Sequence, residues 1–321
     1  MSLDFTAIDF ETANGFRGSP CAVGLSRVRD GRIVEEAFWL MRPPVGHDHF
    51  DQRNIQIHGV TPQQVATQPR FAEVFDEITG FLGDDILVAH NAAFDTGVIK
   101  AALQASARSG PGFSYACTVI LARRSYSLPS YSLPFVAEAA GVPLIHHHDA
   151  IEDARACAGI LIDIAARQNA DSLEDLYQRL NLALPVMPAF VPDPDQPVAQ
   201  AAASASNWFG WPEEGPNPEP NPAADSNHPL FGQTVVFTGN LQISRGTAKQ
   251  RAALMGARPA SSVTAKTTVL VVGDGFIAAD LKLGKTTAGR ITAKARRVLE
   301  LHERGQKIEV LSEGEFMQMI G

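Results

Sequence analysis

From Asn181 to His228 the chain carries no lysine or arginine, six acidic residues and a succession of prolines from Pro185 to Pro222. A stretch this acidic, proline-rich and poor in aliphatics cannot bury enough apolar surface to offset the entropy of ordering it. It therefore cuts the 321 residues into two folding units: a larger one over residues 1–180 and a smaller one over 229–321, joined by an extended linker at 181–228. The charge follows the same division. Residues 1–180 hold 14 Lys/Arg against 22 Asp/Glu, while residues 229–321 hold 13 against 7. If one part grips phosphate without a metal, the basic C-terminal unit is the better suited. Inside the linker, Trp208-Phe209-Gly210-Trp211 is an aromatic island, read as a segment that docks on a domain or binds a protein partner.

No apolar run approaches the ~20 residues of a membrane helix. The first residues, Met1-Ser2-Leu3-Asp4, lack a basic segment preceding an apolar one. Three scattered cysteines, Cys21, Cys117 and Cys157, form no zinc spacing and suit a reducing cytoplasm, with a place at the nucleoid if the cell is bacterial. Cys117 reads as a small buried side chain, since no base stands beside it in the sequence.

In the larger unit an apolar run from Leu3 ends in Ile8-Asp9-Phe10-Glu11-Thr12. Alternation along a strand puts Asp9 and Glu11 on one face, where two like charges are costly unless a cation neutralises them. Hard carboxylate oxygens suit Mg²⁺ or Mn²⁺. Ala22–Val28 and Ile33–Met41 read as strands of a hairpin, with Asp30-Gly31 as its turn. Arg42–Ile57 is a long connection, and Thr61 followed by Pro62 signals a helix start. Phe71–Leu82 has a one-sided apolar stripe of helical period. A buried strand at Ile86–Ala89 leads through His90-Asn91-Ala92-Ala93-Phe94-Asp95 into a helix to Ala105. His146-His147-His148 precedes Asp153 and a helix from Ala154 to Arg167. Three adjacent histidines invite zinc, but no further Cys or His stands at a workable spacing. Arg123, Arg124 and Tyr126 read as opening a loop before a helix near Leu133–Ala140. An antiparallel hairpin followed by alternating strands and helices predicts an α/β mixed sheet of the ribonuclease H kind, with flanking helices.

Asp9-x-Glu11, then His90-Asn91-x-x-Phe94-Asp95, then His148-x-x-x-x-Asp153, in that order, resembles the DEDDh group of 3′→5′ exonucleases, the DnaQ-like superfamily that includes the epsilon-type proofreading subunit of bacterial replicative polymerase. The resemblance covers about residues 1–180. It implies a metal-dependent phosphodiester hydrolase in which Asp9, Glu11, Asp95 and Asp153 hold two divalent ions, Mg²⁺ or Mn²⁺. His148, five before Asp153, would be the general base, a task that a histidine's ordinary pKa of about 6.5 suits. His147 is the competing register. The family's Ile-His-Gly-Ile-Thr loop has its counterpart at Ile57–Thr61, so His58, with Thr12, Asn91 and Phe94, is a candidate contact to the terminal nucleotide.

In the smaller unit, Thr234–Phe237 is a strand ending at Thr238-Gly239, and Ser244–Leu254 is helical. Arg258–Ala260 and Thr268–Val272 are strands, Gly273-Asp274-Gly275 a turn and Thr292–Arg304 a helix. Ile308–Leu311 and Glu313–Ile320 close the unit. Phe231-Gly-x-x-Val-Val-Phe-Thr-Gly239 and Val263-Thr-x-Lys-Thr-Thr-Val-Leu-Val-Val-Gly273 resemble a BRCT domain, particularly that of bacterial NAD-dependent DNA ligase. It departs from that pattern at Gly256-Ala257, where two glycines are usual, and at Phe316, where a tryptophan is usual. Phosphate-binding members of that family use positions matching Thr238, Gly239 and Lys294. Gly284-Lys285-Thr286 is no phosphate loop, because Ala279 stands where the earlier glycine is required.

The two resemblances together imply an exonuclease acting on DNA 3′ ends in repair or replication, recruited to ends or protein partners by its BRCT domain. An RNA exonuclease and a non-catalytic repair scaffold are the alternatives.

Overall fold

The computed structural model describes residues 2–128, 130–195, 216–239, 241, 243–273, 281–282 and 292–320. These form two compact units, residues 2–126 with 133–195 in the first, residues 216–320 with 127–132 in the second.

The first unit is a six-stranded mixed sheet in the order β3-β2-β1-β4-β5-β6. β1 (Phe5–Thr12), β2 (Pro20–Arg29) and β3 (Arg32–Leu40) form an antiparallel meander. The β2–β3 turn places Asp30 and Gly31 at φ +50° and +69°, the mirror-image turn whose twist matches the flanking strands. β4 (Leu87–Ala89) and β5 (Phe113–Cys117) run parallel to β1. This is the α/β architecture expected, with β1 central and buried on both faces.

β1 runs four residues past Ile8, so both acids lie within the strand. The connection after β3 contains a helix, α1 (Gln52–His58), that hydrophobic patterning does not reveal because none of its residues is buried. α2 (Pro62–Val65) starts at Thr61, whose side chain and that of Gln64 form a capping box. α3 (Phe71–Leu82) occupies the expected span and buries Phe71, Val74, Phe75, Ile78 and Leu82. α4 (Ala92–Ala105) follows β4. Arg123 and Arg124, expected in a loop, sit in the last turn of a helix instead, α5 (Thr118–Ser125), which begins directly at the end of β5. Thr118, Val119, Leu121 and Ala122 are its buried face, too short a stripe to stand out beside the strand before it. Tyr126 is tied to the long helix: its hydroxyl donates to Asp163 at 2.5 Å, and Arg167 lies over its ring. α6 (Leu133–Ala140), α7 (Ala150–Gln168) and α8 (Leu173–Arg179) complete the layer, with α7 packed across β1 and β2.

The stretch expected to be linker is partly claimed by both units. β6 (Val186–Met187) adds an antiparallel edge to β5, Phe190 and Gly110 exchange both backbone hydrogen bonds, and Gln104 bonds the backbone of Asp193. At the other end Asn221 N–H donates to the Ala253 carbonyl, and His228 Nε2 lies 2.8 Å from the Met319 carbonyl oxygen. The prolines there limit helix and central strand, yet leave edge pairing open. Trp208–Trp211 and the Asp274-Gly275 part of the later turn lie outside the described residues.

The second unit is a four-stranded, all-parallel sheet, β10-β9-β7-β8, from β7 (Thr234–Thr238), β8 (Arg258–Ala260), β9 (Val269–Val272) and β10 (Glu309–Ser312). Alternate residues feed two cores. Val235, Phe237, Val269 and Val271 face α9 (Arg245–Leu254) and α11 (Glu313–Ile320), while Val236, Leu270 and Val272 face α10 (Ala293–Glu303). Burial on both faces is why these strands read as continuous apolar runs. Phe316, standing where a tryptophan was expected, is fully buried edge-on to Phe237 at 5.0 Å.

Candidate active site

Three elements of the first unit converge at the C-terminal end of β1. Asp9 and Glu11 project from one face of that strand, and Asp153 sits in the first turn of α7. One carboxylate oxygen from each lies within 4.8 Å of the other two. The approach of α7 depends on a residue the sequence did not single out. Gly24 on β2 is paired with Asp9, and a Cβ there would lie 2.5 Å from Ile151 Cα. Absence of a side chain lets the helix start sit directly on the sheet. Asp149 caps that helix, accepting from Ile151 and Glu152 N–H at 3.1 and 3.3 Å.

Asp95, in the first turn of α4, is 1% exposed and accepts from the Phe10 N–H at 3.1 Å. It thus lies beside the group of three, joined to β1 between the two acids. Loss of water pushes the carboxyls of Asp9 and Glu11 well above the ordinary range, reinforced for Asp9 by Glu11, Asp153 and Asp95, and for Glu11 by Asp153 and Asp95. Burial raises Asp95 to about 8 against the Phe10 N–H and Arg17, which lower it. Hard oxygen donors crowded at this separation and repelling one another fit a divalent oxygen-seeking cation.

The histidines stand on the far side of Asp153. His147 Nδ1 is 2.9 Å from Asp153 Oδ2, and the same oxygen accepts from His148 N–H at 3.0 Å. The two rings stack at 3.8 Å, and a nitrogen of each belongs with Asp153 to a second group of donors within 4.8 Å. His148 is at φ +74°, a strained geometry for a residue with a Cβ, and is half-buried, whereas His147 is exposed. His146 turns away to Glu152.

His58 has both ring nitrogens occupied. Nδ1 accepts from Val60 N–H at 3.0 Å, so Nε2 carries the proton and donates to the Thr12 carbonyl at 3.1 Å. Asn54 donates to that same carbonyl at 2.8 Å. Thr12 is thereby clamped next to Glu11, and burial lowers the pKa of His58, keeping the clamp neutral. Asn91 is 8% exposed at φ +70°, and its buried Oδ1 has no hydrogen-bond partner. Phe94 is half-exposed beside it on α4. Arg17, Gly24 and Asn54 escaped the sequence reading; a motif of spaced acids carries no trace of the groups that pack around it.

In the second unit Thr238, Gly239 and Lys294 come together where β7 ends and α10 begins. Thr238 Oγ1 is 2.5 Å from the hydroxyl of Thr292, the α10 cap, and Lys294 Nζ donates to the Phe237 carbonyl at 3.0 Å. Arg245 donates to the Gly239 carbonyl at 2.8 Å.

Fold and site together define an α/β domain with a cluster of carboxylates at the end of its central strand. Residues 6–161 match the family model described as Exonuclease, the RNase T family, so the first unit carries an exonuclease domain of that kind. Among similar proteins, the DNA polymerase III PolC-type of Thermotoga petrophila is 31% identical over 180 residues, covering 56% of this chain and 13% of that one. The PolC-type polymerase of Clostridium perfringens is 34% identical over 164 residues, 49% of this chain and 11% of its own. The chain thus spans little more than a tenth of the length of these polymerases. A solved structure of exonuclease X with 5′-overhanging duplex DNA shares 28% identity and a TM-score of 0.45, covering 55% of this chain and 99% of that one. No helix among the described residues is long and apolar enough to cross a membrane.

Proposed function

We propose that this protein is a 3′→5′ exonuclease that removes nucleoside 5′-monophosphates one at a time from DNA 3′ ends, dependent on two Mg²⁺ or Mn²⁺ ions. The convergence of Asp9, Glu11 and Asp153 carries the reading, because three carboxylates with oxygens within 4.8 Å of one another repel when ionised, and a cation relieves that repulsion without protonating them. Asp9, Glu11 and Asp153 would hold one ion and Asp9 with Asp95 the other. When bound, such ions neutralise phosphate oxygens, lower the pKa of water and stabilise the leaving oxygen. His148 accepts the proton of the attacking water as the new P–O bond forms and the bond to the 3′ oxygen breaks. Asp153 orients the histidine pair through the His148 N–H and His147 Nδ1. Phe94 offers a face for the terminal base, and Asn91 Oδ1 an acceptor for a donor on the nucleotide.

The second unit is read as a BRCT domain that recruits the enzyme to DNA ends or protein partners in repair or replication. Its all-parallel sheet and the meeting of Thr238, Gly239 and Lys294 at the N-terminus of α10 support that assignment.

The test is degradation of matched 5′-labelled single-stranded DNA and RNA with Mg²⁺, Mn²⁺ or EDTA, beside Asp153→Ala. A metal-dependent ladder from the DNA 3′ end that the variant lacks is expected. Faster loss of RNA would move the protein to RNA turnover. No cleavage of either would overturn the enzymatic reading.

A further inference from the structure

The loop that follows β1 lies along the first two turns of α4, and its Arg17 meets two consecutive residues there, Ala93 and Phe94, just before Asp95. Nη1 donates to the Ala93 carbonyl at 3.1 Å, the guanidinium lies 5.5 Å from the centroid of the Phe94 ring, and its charge acts favourably on Asp95. The path of this arm is built into the helix. At Gly97 a Cβ would lie 2.6 Å from Arg17 Cδ and would clash with Nη1. A glycine in the middle of a 14-residue helix costs helix stability, so its space has a use.

We infer that Arg17 is a positioning residue that holds Ala93, Phe94 and Asp95 against the end of β1, so that the Asp95 carboxylate and the Phe94 ring keep their places beside Asp9 and Glu11. The planar guanidinium is suited to this, because it can stack on a ring, donate in its own plane and supply charge at one time. The inference concerns the geometry of this chain. It draws on the exonuclease reading only for one of its two measurements.

Gly97→Ala is the informative variant, since it displaces Arg17 without removing it and by itself favours helix. Mn²⁺ binding would be followed by the electron paramagnetic resonance signal of free Mn²⁺, and turnover on a single-stranded DNA 3′ end at saturating substrate. Gly97→Ala is expected to melt no lower than the wild type, yet to lose at least about tenfold in Mn²⁺ affinity and in turnover. Arg17→Met should do the same. Arg17→Lys should recover only part, because it restores charge but neither the stacking nor the planar donor. Wild-type Mn²⁺ affinity and turnover in Gly97→Ala, or full function in Arg17→Lys, would overturn the inference. A wild type without turnover whose Mn²⁺ affinity still falls in Gly97→Ala would sink the exonuclease reading and leave Arg17 in its positioning role.

Discussion

The two units handle polar groups in opposite ways. In the first, Asp9, Glu11 and Asp153 crowd together at the end of β1 and repel one another, while the charge of Arg17 bears on Asp95. In the second, the polar groups at the end of β7 satisfy one another: Thr238 with Thr292, Lys294 with the Phe237 carbonyl, Arg245 with the Gly239 carbonyl. Preorganised repulsion is a strong demand for a ligand of opposite charge, whereas a satisfied network gains from a ligand only what exceeds the bonds it gives up. Ligand dependence should therefore be steep in the first unit and shallow in the second.

The largest effect expected from that contrast is loss of turnover in Asp153→Ala. It removes a ligand and the anchor of both histidines, and a fall of at least about 10³-fold is expected if the bound ions supply several kcal/mol of transition-state stabilisation. Single-turnover hydrolysis measures it; a rate within tenfold of wild type would break the assignment. His148→Ala should cost about 10²–10⁴-fold, the range of a positioned general base. His147→Ala should cost less, and the reverse order would transfer the base to His147.

Metal removal sharpens the comparison on stability. A carboxyl whose folded pKa is raised binds protons more tightly folded than unfolded, so stability falls as pH rises through the interval between the two values. For Asp95 that interval runs from 3.8 to about 8. In EDTA the first unit should melt at lower temperature at pH 8 than at pH 5, and saturating Mg²⁺ should erase most of the difference. The second unit should not respond to Mg²⁺. Thermal melting in the four conditions decides it, and a metal-free protein that is more stable at pH 8 would contradict the electrostatic account of the cluster. Gly24→Ala should also act through the first unit, because the new methyl meets the backbone of Ile151. Overpacking of this kind costs about 1–3 kcal/mol, and a shifted α7 should lower turnover along with the melting temperature.

What could be read from the sequence divides along the same physical line. Asp9 and Glu11 were legible as a pair because side chains alternate along a strand, Asp95 and Asp153 through the family resemblance that their motifs carry, and α3 because it buries a five-residue stripe. α1 was not, since it buries nothing, and α5 was not, since its short apolar face continues that of β5. The claim of both units on the linker was hidden because β6 pairs through backbone groups, which composition does not report. The supporting contacts of the site were hidden for a related reason. Gly24 and Gly97 act through the space they leave, Asn54 and His58 through one carbonyl, and none of these has a sequence period.

The smallest effect belongs to the second unit, where Lys294→Met tests the shallow side of the contrast. Its Nζ donates to the Phe237 carbonyl, so the variant loses about 1 kcal/mol, the usual net worth of one hydrogen bond. In the wild type a phosphate group would share Lys294 with that carbonyl, which already takes one of its three donors, and the protection it offers is correspondingly modest. A 5′-phosphorylated oligonucleotide should raise the melting temperature of the second unit slightly, and less in Lys294→Met. If the phosphate instead stabilises this unit as strongly as Mg²⁺ stabilises the first, the internal bonds of Thr238, Lys294 and Arg245 cannot oppose binding. The supposed difference between the two sites would then be one of charge sign alone.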